Sequence, residues 1–520
     1  MATWRWSPRA KARTAMLGIA AIVAFLAFVG CDTTSAYTPT HGSQSVGQGP
    51  AVTAPGVLQP GPGDWTRFDY DAARSGQYPV SSISPANVSG LHKLWIAALP
   101  SVADSTQIYL HNLTLADGSL HDVLYVTSKD GRLIALDAGT GHILWSQQPA
   151  GSNITNSSPV ADIHRQFVYA YGLDGYLHKY ATATGAEVTS GGWPVRITLT
   201  PGSEKESSAI NFANGYIYVT TSGYYGDAPP YQGHIVTINV STGNTHVFNS
   251  LCSNITHLLG PTDCPDEQSG IWARGGVVVD PVTHDIFATT GNGPYTANTG
   301  GFDWGDTILK LSPDGSQLLD SYTPSNYSQL NFQDADLGSA APGMLPYIPT
   351  SKTPYLLVQG GKDFVLRLVN RQNLSGMGGP GHVGGELQTI STPGGNGCEI
   401  LTQPAVWTDP ATGQVWVFVA DGCKLGAFKV VTDNTGVTQL QASWTLSLNG
   451  TSPLVVNGVL YIATSGTLWA LNPISGATEW SSTQSGAGGS IGGIHWESPI
   501  VVDAKVYCSD ENGNLTAYGL

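Results

Sequence analysis

Charge is scarce in this chain, and positive charge is the scarcer sign. Only 11% of the 520 residues are charged, and 22 lysines and arginines stand against 37 acids, for a formal net charge of −15. Nucleic acids and anionic membrane surfaces attract basic proteins, so this balance argues against both as partners. It is compatible with binding of divalent cations, although a solvated acidic surface is the simpler explanation.

The chain also lacks the cysteine spacings of common prosthetic groups. Its six cysteines form no Cys-x-x-Cys-His motif, which excludes covalent c-type haem, and no Cys-x-x-Cys pair for structural zinc. Cysteines in this number fit an oxidising compartment. Cys252 and Cys264 flank one loop and are predicted to form a disulfide, and Cys398 and Cys423, near successive strands, are a second candidate pair. Cys508 is then left over as a buried thiol.

Long hydrophobic runs are confined to the N-terminus. A basic stretch precedes an apolar run over 15–29, which is too short to favour a permanent transmembrane helix and is typical of a secretory signal. The run ends in Gly-Cys and resembles a bacterial lipobox in which Cys31 would be lipidated; plain secretion is the alternative.

Residues 1–31 are therefore predicted to be a lipoprotein signal peptide. Residues 32–63, rich in Ser, Thr, Gly, Pro and Gln, are predicted to be a flexible linker. We expect an exported cell-envelope lipoprotein that faces the periplasm or the cell exterior and contacts the membrane through its lipid anchor.

The sequence shows little helical periodicity, but it contains a repeated motif. The clearest copies of one phrase begin at Gly131 and Gly466, and both contain Ala-Leu-Asp/Asn, a Thr/Ser-Gly turn and a Trp. The strand before each turn recurs around Leu133, Leu177, Ile235, Ile308, Val365, Leu425, Leu468 and Leu515. One copy cannot bury its own apolar face and must stack on its neighbours. The fold class is therefore all-β, and the sequence predicts an eight-bladed β-propeller over 64–520.

Two details of the repeat predict how such a ring is built. The last copy stops before its fourth strand, and the segment 91–95 is of the missing kind, so the N-terminal strand is predicted to close the ring. The Gly of each turn permits a positive φ, and the Trp that ends the next strand, as at Trp145 and Trp480, is predicted to pack flat on a neighbouring blade.

Polar and aromatic residues precede the predicted innermost strands. This position lies at one mouth of a propeller, near its axis, so residues from distant parts of the chain are brought together there. They are Asn156, Glu206, Trp272, Arg274, Asp334, Asp336, Glu399, His495, Trp496 and Glu497. In a chain with so little charge this concentration predicts a functional site, although a wet channel mouth would also contain polar residues.

The repeated phrase resembles the pyrroloquinoline quinone (PQQ) repeat over most of 64–520. The segment 65–76, Trp-Thr-Arg-Phe-Asp-Tyr-Asp-Ala-Ala-Arg-Ser-Gly, is similar to the start of such propellers. The resemblance implies the fold. It leaves the chemistry open, because the same repeat builds quinoprotein alcohol dehydrogenases and cofactor-free scaffold lipoproteins.

One segment resembles the dehydrogenases more specifically. The Thr-Gly-Asn that ends at Asn292 resembles a stretch that supplies a calcium ligand. The Asp-Ala-Asp-Leu-Gly that begins at Asp334 resembles the catalytic segment of polyvinyl-alcohol-dehydrogenase-like members, which implies Asp334 as the base. A further metal ligand is expected from the pair Asp334 and Asp336. Lys362, in Gln-Gly-Gly-Lys-Asp-Phe, matches the Lys or Arg that hydrogen-bonds the quinone.

Four more residues complete the implied site. Asp227 occupies the place of an acidic calcium ligand, and Trp272, Arg274 and Trp496 are the implied contacts of the flat cofactor. Carboxylate and amide oxygens are the ligands that calcium prefers, and a carboxylate beside the ion can remove the alcohol proton as hydride leaves carbon. The resemblance thus implies PQQ and calcium as cofactors for oxidation of a small-molecule alcohol or a polymer. No haem is expected, because the haem-attachment motif is missing, so electrons would need a separate acceptor.

Three functions remain open on the sequence. The first is an exported quinoprotein, marked by convergence of Asp227, Asn292, Asp334 and Lys362. The second is a non-enzymatic propeller lipoprotein that binds proteins or assists envelope assembly, marked by an exposed apolar groove instead. The third is a carbohydrate- or polymer-binding module, suggested by the rim aromatics Tyr224, Tyr225, Tyr231 and Trp496.

Overall fold

The structure is a computed structural model that describes residues 63–78, 80–224 and 228–520. The predicted signal peptide with Cys31, nearly all of the predicted linker, and Asp227 and Tyr225 lie outside these residues.

Eight antiparallel sheets, here named blades 1 to 8, follow one another along the chain. Blade 1 contains the strands Ile108–Thr114, Leu120–Thr127, Leu133–Asp137 and Ile143–Gln147, and blade 2 contains Val160–Ala161, Phe167–Tyr171, Tyr176–Ala181 and Val195–Arg196. Blade 3 contains Asn211–Ala213, Tyr216–Thr220, His234–Asn239 and Thr245–Asn249, and blade 4 contains Val278–Val279, Ile286–Thr289, Ile308–Leu311 and Leu318–Tyr322. Blade 5 contains Gly343–Met344, Leu356–Gln359, Val365–Asn370 and Gln388–Ser391, and blade 6 contains Ala405–Thr408, Val415–Ala420, Leu425–Thr432 and Thr438–Leu446.

The last two blades include strands from the N-terminal part of the described chain. Blade 7 contains Leu454–Val456, Val459–Thr464, Thr467–Leu471 and Thr478–Ser481, and Gln77–Tyr78 pairs in parallel with the first of these. Blade 8 contains Ile500–Val502, Lys505–Asp510 and Asn514–Gly519, and its outermost strand is His92–Ala98, which pairs antiparallel with Asn514–Gly519.

Few other elements occur among the described residues. The α-helix Tyr327–Gln333 follows blade 4. The short 3₁₀ helices are Val88–Gly90, Ala297–Thr299 and Leu337–Ser339, and a two-stranded ladder pairs Glu204–Lys205 with Ser222–Gly223. None of the described helices is long and apolar enough to cross a lipid bilayer.

The burial of each strand follows from its place in the blade. The second strand of blade 1, Leu120–Thr127, ends in five consecutive buried residues, because neighbouring blades cover both of its faces. The outermost strand His92–Ala98 instead alternates exposed and half-buried residues. The core therefore lies between blades: Leu124 and Val126 of blade 1 belong to one buried cluster with Val501 and Tyr507 of blade 8.

The repeat motif joins blade 1 to blade 2 as predicted. Trp145 ends blade 1, and its Nε1 donates to the Thr182 carbonyl of blade 2 at 3.1 Å. A Cβ placed on Gly185, in the turn beside Thr182, would lie 2.7 Å from the indole ring, so the ring rests directly on the glycine backbone. Gly185 also has φ +70°, which disfavours other residues there.

Hydrogen bonds near the inner strands connect the blades in a ring. The Thr106 N–H, before blade 1, donates to Ser158 Oγ before blade 2 at 2.9 Å, and the Gln403 N–H, before blade 6, donates to Ser452 Oγ before blade 7 at 2.9 Å. Gln107 Nε2 donates to the Tyr507 carbonyl at 2.8 Å, which joins blade 1 to blade 8. The predicted all-β, eight-bladed propeller is confirmed.

The described residues contain two disulfides, and both were predicted. Cys252–Cys264 closes the loop after blade 3, and Cys398–Cys423 ties the segment before blade 6 to a turn within that blade. Cys508 is buried in blade 8 as a free thiol.

Candidate functional site

Three predicted site residues meet where the loops of blades 4 and 5 approach one another. Asn292 follows the strand Ile286–Thr289, Asp336 follows the helix Tyr327–Gln333, and Lys362 lies in the turn after Leu356–Gln359. The Asn292 N–H donates to Asp336 Oδ1 at 2.6 Å. Lys362 Nζ forms an ion pair with Asp336 Oδ2, and the Lys362 N–H donates to the Asp336 carbonyl at 2.9 Å. We call Asn292, Asp336 and Lys362 the 292–336–362 cluster.

The two acids of the Asp-Ala-Asp segment have different surroundings. The Asp336 side chain is 2% exposed, whereas that of Asp334 is 45% exposed. Asp334 ends the helix Tyr327–Gln333 in a left-handed conformation, and its Oδ1 lies 3.8 Å from Lys362 Nζ. One lysine thus faces both acids, the buried one at close contact and the accessible one farther away.

A third acid next to the cluster was not identified from the sequence. Asp306 is 1% exposed, and its Oδ1 accepts the Leu337 N–H at 3.0 Å. Burial, together with the negative charge of Asp336, raises the pKa of Asp306 well above its ordinary value. The sequence signal that could have identified Asp306 is its position after Gly305, in the segment that leads into the strand Ile308–Leu311.

Trp272 lies against the same cluster. A Cβ placed on Gly291 would lie 2.9 Å from the Trp272 Cδ1 and Nε1 atoms and 2.3 Å from Asp336 Oδ1. Glycine at 291 therefore allows the indole and the carboxylate to approach one backbone position. Tyr231 packs edge-on against Trp272 at 5.5 Å between ring centroids.

Arg274 and Trp496 form a second group. The Arg274 guanidinium lies over the Trp496 ring at 4.7 Å. Both line a cavity of about 310 Å³ with residues from the segments that precede blades 6, 7 and 8. The structure thus separates the four predicted quinone contacts into two pairs: Trp272 and Lys362 beside Asp336, and Arg274 with Trp496 at the cavity.

A buried polar network supports the second group. Asp104, which is 0% exposed, accepts the Trp496 N–H at 2.9 Å and lies 2.8 Å from His495 Nδ1. Asn156 donates to Asp104 and accepts from the buried Lys205. Burial lowers the pKa of Lys205 to about 8. Asp104 and Lys205 were missed because nothing in their local sequence distinguishes them from ordinary loop residues.

Other predicted mouth residues have structural partners. Glu206 is buried and accepts the N–H groups of Ser208 at 3.0 Å and Thr220 at 2.6 Å. Burial raises its pKa well above the ordinary range. A carboxyl that is already held by the backbone in this way positions the loop before blade 3.

Part of the chain matches a known protein family. Residues 65–172 match the PQQ family described as the glucose/ethanol/alcohol dehydrogenase β-propeller domain. The chain is 24% identical over 333 residues to the dehydrogenase subunit of a quinone-dependent alcohol dehydrogenase from Komagataeibacter europaeus, which covers 56% of this chain and 43% of that protein. The corresponding subunit from Gluconacetobacter polyoxogenes is 24% identical over 336 residues, covering 56% and 42%. The chain thus spans less than half the length of these curated relatives.

Solved structures share the fold at lower identity. A europium-containing methanol dehydrogenase superposes with a TM-score of 0.63 at 15% identity, covering 88% of this chain and 98% of that chain. A quinohemoprotein alcohol dehydrogenase from Comamonas testosteroni superposes with a TM-score of 0.60 at 16% identity, covering 88% and 80%. The matched segment, the curated relatives and the shared propeller lead to one conclusion: the chain is a PQQ-like β-propeller that resembles the quinoprotein alcohol dehydrogenases.

Proposed function

We propose that this chain is an exported dehydrogenase that uses PQQ and calcium to oxidise an alcohol. The observation that carries the proposal is the meeting of Asn292, Asp336 and Lys362 from three separate loops, with Trp272 beside them. Acids and a lysine that contact one another at a junction of loops are typical of a site.

The residues of the cluster fit a hard cation. Asn292 is 3% exposed, and within the described ranges its side-chain Oδ1 has no hydrogen-bond donor. An amide oxygen that is buried in this way is costly unless a ligand completes it. Together with the carboxylate of Asp336 it offers the oxygen ligands that calcium takes, and Asp227 is the proposed third ligand.

Asp334 and Asp336 have different roles in this proposal. When bound, the quinone would supply the electron acceptor, and the calcium ion would polarise the quinone. Asp336, held by the Asn292 N–H and by Lys362, serves as the metal ligand. Asp334 is reachable from solvent and serves as the base that accepts the alcohol proton. Lys362 carries the positive charge that stabilises negative charge developing beside it.

Trp272 limits the space beside the cluster. Its indole lies over Gly291 and is buttressed edge-on by Tyr231. A flat ring system placed against it would be oriented by stacking and shielded from water on that face.

Export and electron transfer complete the proposal. Both disulfides support an oxidising compartment, and lipidation at Cys31 would place the chain in the cell envelope. Electrons would pass to a separate acceptor. The substrate is a small-molecule alcohol or a polymeric one.

The test is reconstitution of the purified full chain with calcium and PQQ, followed by absorbance titration and dye-linked oxidation of primary and secondary alcohols. We expect a stoichiometric spectral change and turnover. Asp336→Asn should weaken calcium and quinone binding by about 10- to 100-fold, because it removes the charged ligand. The same exchange at Asp503, an exposed turn residue, is the matched control.

Asp334→Asn separates binding from chemistry. We expect quinone affinity within about threefold of the parent chain and turnover lower by roughly 100-fold or more, the usual contribution of a general base. Unchanged turnover would refute the assigned base. No spectral change at stoichiometric cofactor would refute the enzymatic proposal and favour the scaffold function.

A further inference from the structure

The cavity beside Arg274 is a space distinct from the 292–336–362 cluster. The residues that line it include Arg274, Trp496, Thr402, Thr451 and Ser452. Asn292, Asp336 and Lys362 are not among the described residues that line it. The two spaces adjoin: Glu399 lines the cavity, and the N–H of the next residue, Ile400, donates to the carbonyl of Gly361, beside Lys362, at 3.1 Å.

Arg274 is placed to bind an acceptor from outside the chain. Its side chain is 5% exposed, and burial lowers its pKa to about 10, so it remains a cation at neutral pH. Its Nη2 is buried and has no acceptor within the part of the chain that the structure describes. Leaving such a donor unpaired is costly, and stacking on Trp496 fixes the plane of the guanidinium while leaving its N–H edge available.

Two acids of the cavity wall are held by backbone N–H groups. Asp421 accepts the N–H groups of Cys423 and Lys424 on one oxygen and that of Gly394 on the other. Glu497 Oε2 accepts the His495 N–H at 2.6 Å. Burial raises the pKa of Glu497 to about 8, so this carboxyl is mostly neutral at pH 7.

The remaining polar atoms of the wall can also donate to a ligand. Ser452 Oγ accepts the Gln403 N–H at 2.9 Å, which leaves its own hydroxyl hydrogen free to donate. Glu497 Oε1 is buried and unpartnered in the described segments, and a protonated carboxyl donates. A guanidinium fork, a serine hydroxyl and a neutral carboxyl together match a ligand rich in acceptors.

We propose that this cavity binds the carboxylate of a small organic acid, with Arg274 donating to both carboxylate oxygens and Ser452 to one of them. A planar fork that is already stacked on an aromatic ring matches a carboxylate in geometry as well as in charge. Combined with the proposed function, on which this second step rests, the substrate is an alcohol that carries a carboxylate, such as a hydroxy acid, held by its acid group in the cavity with its hydroxyl towards the neighbouring cluster.

The binding step can be measured without the cofactor. The full chain, free of quinone and calcium, is titrated calorimetrically with lactate and with propane-1,2-diol, which has the same carbon skeleton but a CH₂OH in place of the carboxylate. We expect lactate to bind at least about tenfold more tightly than the diol, since only lactate can pair with the guanidinium. Equal affinities would overturn the proposal.

Variants test whether Arg274 binds the carboxylate of lactate. Arg274→Lys keeps the charge but loses the fork and the stack, and we expect lactate affinity to fall by about tenfold. Arg196→Lys is the matched control, because Arg196 is exposed and also stacks on an aromatic ring, that of Tyr176, at 4.6 Å. If Arg274→Lys fails to fold by circular dichroism, Ser452→Ala replaces it, with an expected loss of about three- to tenfold. Parent-like lactate affinity in the folded variant would sink the proposal.

A third titration distinguishes binding of a substrate carboxylate from binding of a quinone carboxylate, because either could pair with Arg274. Lactate is titrated again into the chain loaded with calcium and PQQ. Retained lactate binding supports a substrate subsite, whereas competitive loss means that the cavity holds a quinone carboxylate and overturns the substrate assignment. If PQQ never binds but lactate still requires Arg274, the carboxylate subsite is supported and only the proposed function fails.

Discussion

At the scale of single residues, burial decides what each acid near the channel mouth can do. Asp334 and Asp336 are two positions apart, yet one is half-exposed at a helix end and the other is enclosed by Asn292 and Lys362. Glu497, two residues from His495, is 1% exposed and is held by the neighbouring backbone. In the proposed functions the same side-chain chemistry therefore serves as a solvent-reachable base, a charged ligand or a neutral donor.

Glu497 should make the stability of the fold depend on pH. Burial, reinforced by the negative charges of Asp104 and Glu511 and opposed by the His495 N–H, raises its pKa to about 8. The unfolded chain releases this proton near pH 4.5, so between roughly pH 5 and 8 the folded state holds one proton more. Its contribution to the free energy of unfolding then falls as pH rises, by up to about 1.4 kcal/mol per pH unit.

Glu497→Gln isolates this effect, because the amide cannot titrate. We expect the stability of the parent chain relative to the variant to decline between pH 5.5 and 7.5, as measured by urea denaturation. Glu267→Gln, at an exposed position, is the control and should give parallel curves. Parallel curves for Glu497→Gln as well would mean that the carboxyl is already ionised in the folded chain.

At the scale of elements, the contact between one blade's last strand and the next blade's turn is the recurring joint. Trp145 lies on Gly185, and Trp444 of blade 6 lies similarly on Gly476 of blade 7, with a Cβ there 3.0 Å from the indole. The joint needs a glycine because a side chain would occupy the volume of the ring.

Gly185→Ala tests this joint. The added methyl would lie 2.7 Å from the Trp145 ring, and we expect a loss of about 2 kcal/mol beyond the cost of the left-handed backbone alone. Gly215→Ala measures that backbone cost, because Gly215 has φ +80° but open space around its Cβ position. In a Trp145→Ala background the excess cost of Gly185→Ala should disappear. An excess that persists there would contradict the packing explanation.

The repeat also shows how far sequence reasoning reaches. The positions of the Gly and Trp are local and periodic, so the blades, their number and the Trp packing could be predicted. The two disulfides could be predicted from which loops carry the cysteines. The division of roles between Asp334 and Asp336 could not, because it depends on where the helix Tyr327–Gln333 ends and on which of the two acids Lys362 reaches.

At the scale of the whole molecule, the ring depends on joints between residues far apart in sequence. Gln107 is 0% exposed, and its side chain donates to the carbonyls of Tyr507 at 2.8 Å and Ser498 at 3.4 Å. It connects blade 1 with blade 8, whereas Gln414 makes comparable bonds to Val415 and Val430 within blade 6.

Gln107→Met should therefore weaken the ring and not just one sheet. We expect a loss of about 1–3 kcal/mol, because two buried carbonyls lose their donor. Hydrogen exchange should accelerate in blades 1 and 8 and remain unchanged in blade 4. Gln414→Met is the matched control, with faster exchange confined to blade 6. Uniform acceleration around the ring in Gln107→Met would argue against a local joint.

Periodicity and turn chemistry act between residues that are close in sequence. They were therefore sufficient to predict the all-β class, the eight repeats and the loops that carry the disulfides. They also gave the chain order of Asn292, Asp334 and Lys362. The tertiary structure determined which side chains share a site. His495 meets Asp104 across 391 positions, and Arg274 stacks on Trp496 from the opposite side of the ring. The repeat predicts which positions reach the mouth of the ring, whereas the packing of the blades around a common axis decides which of those side chains touch.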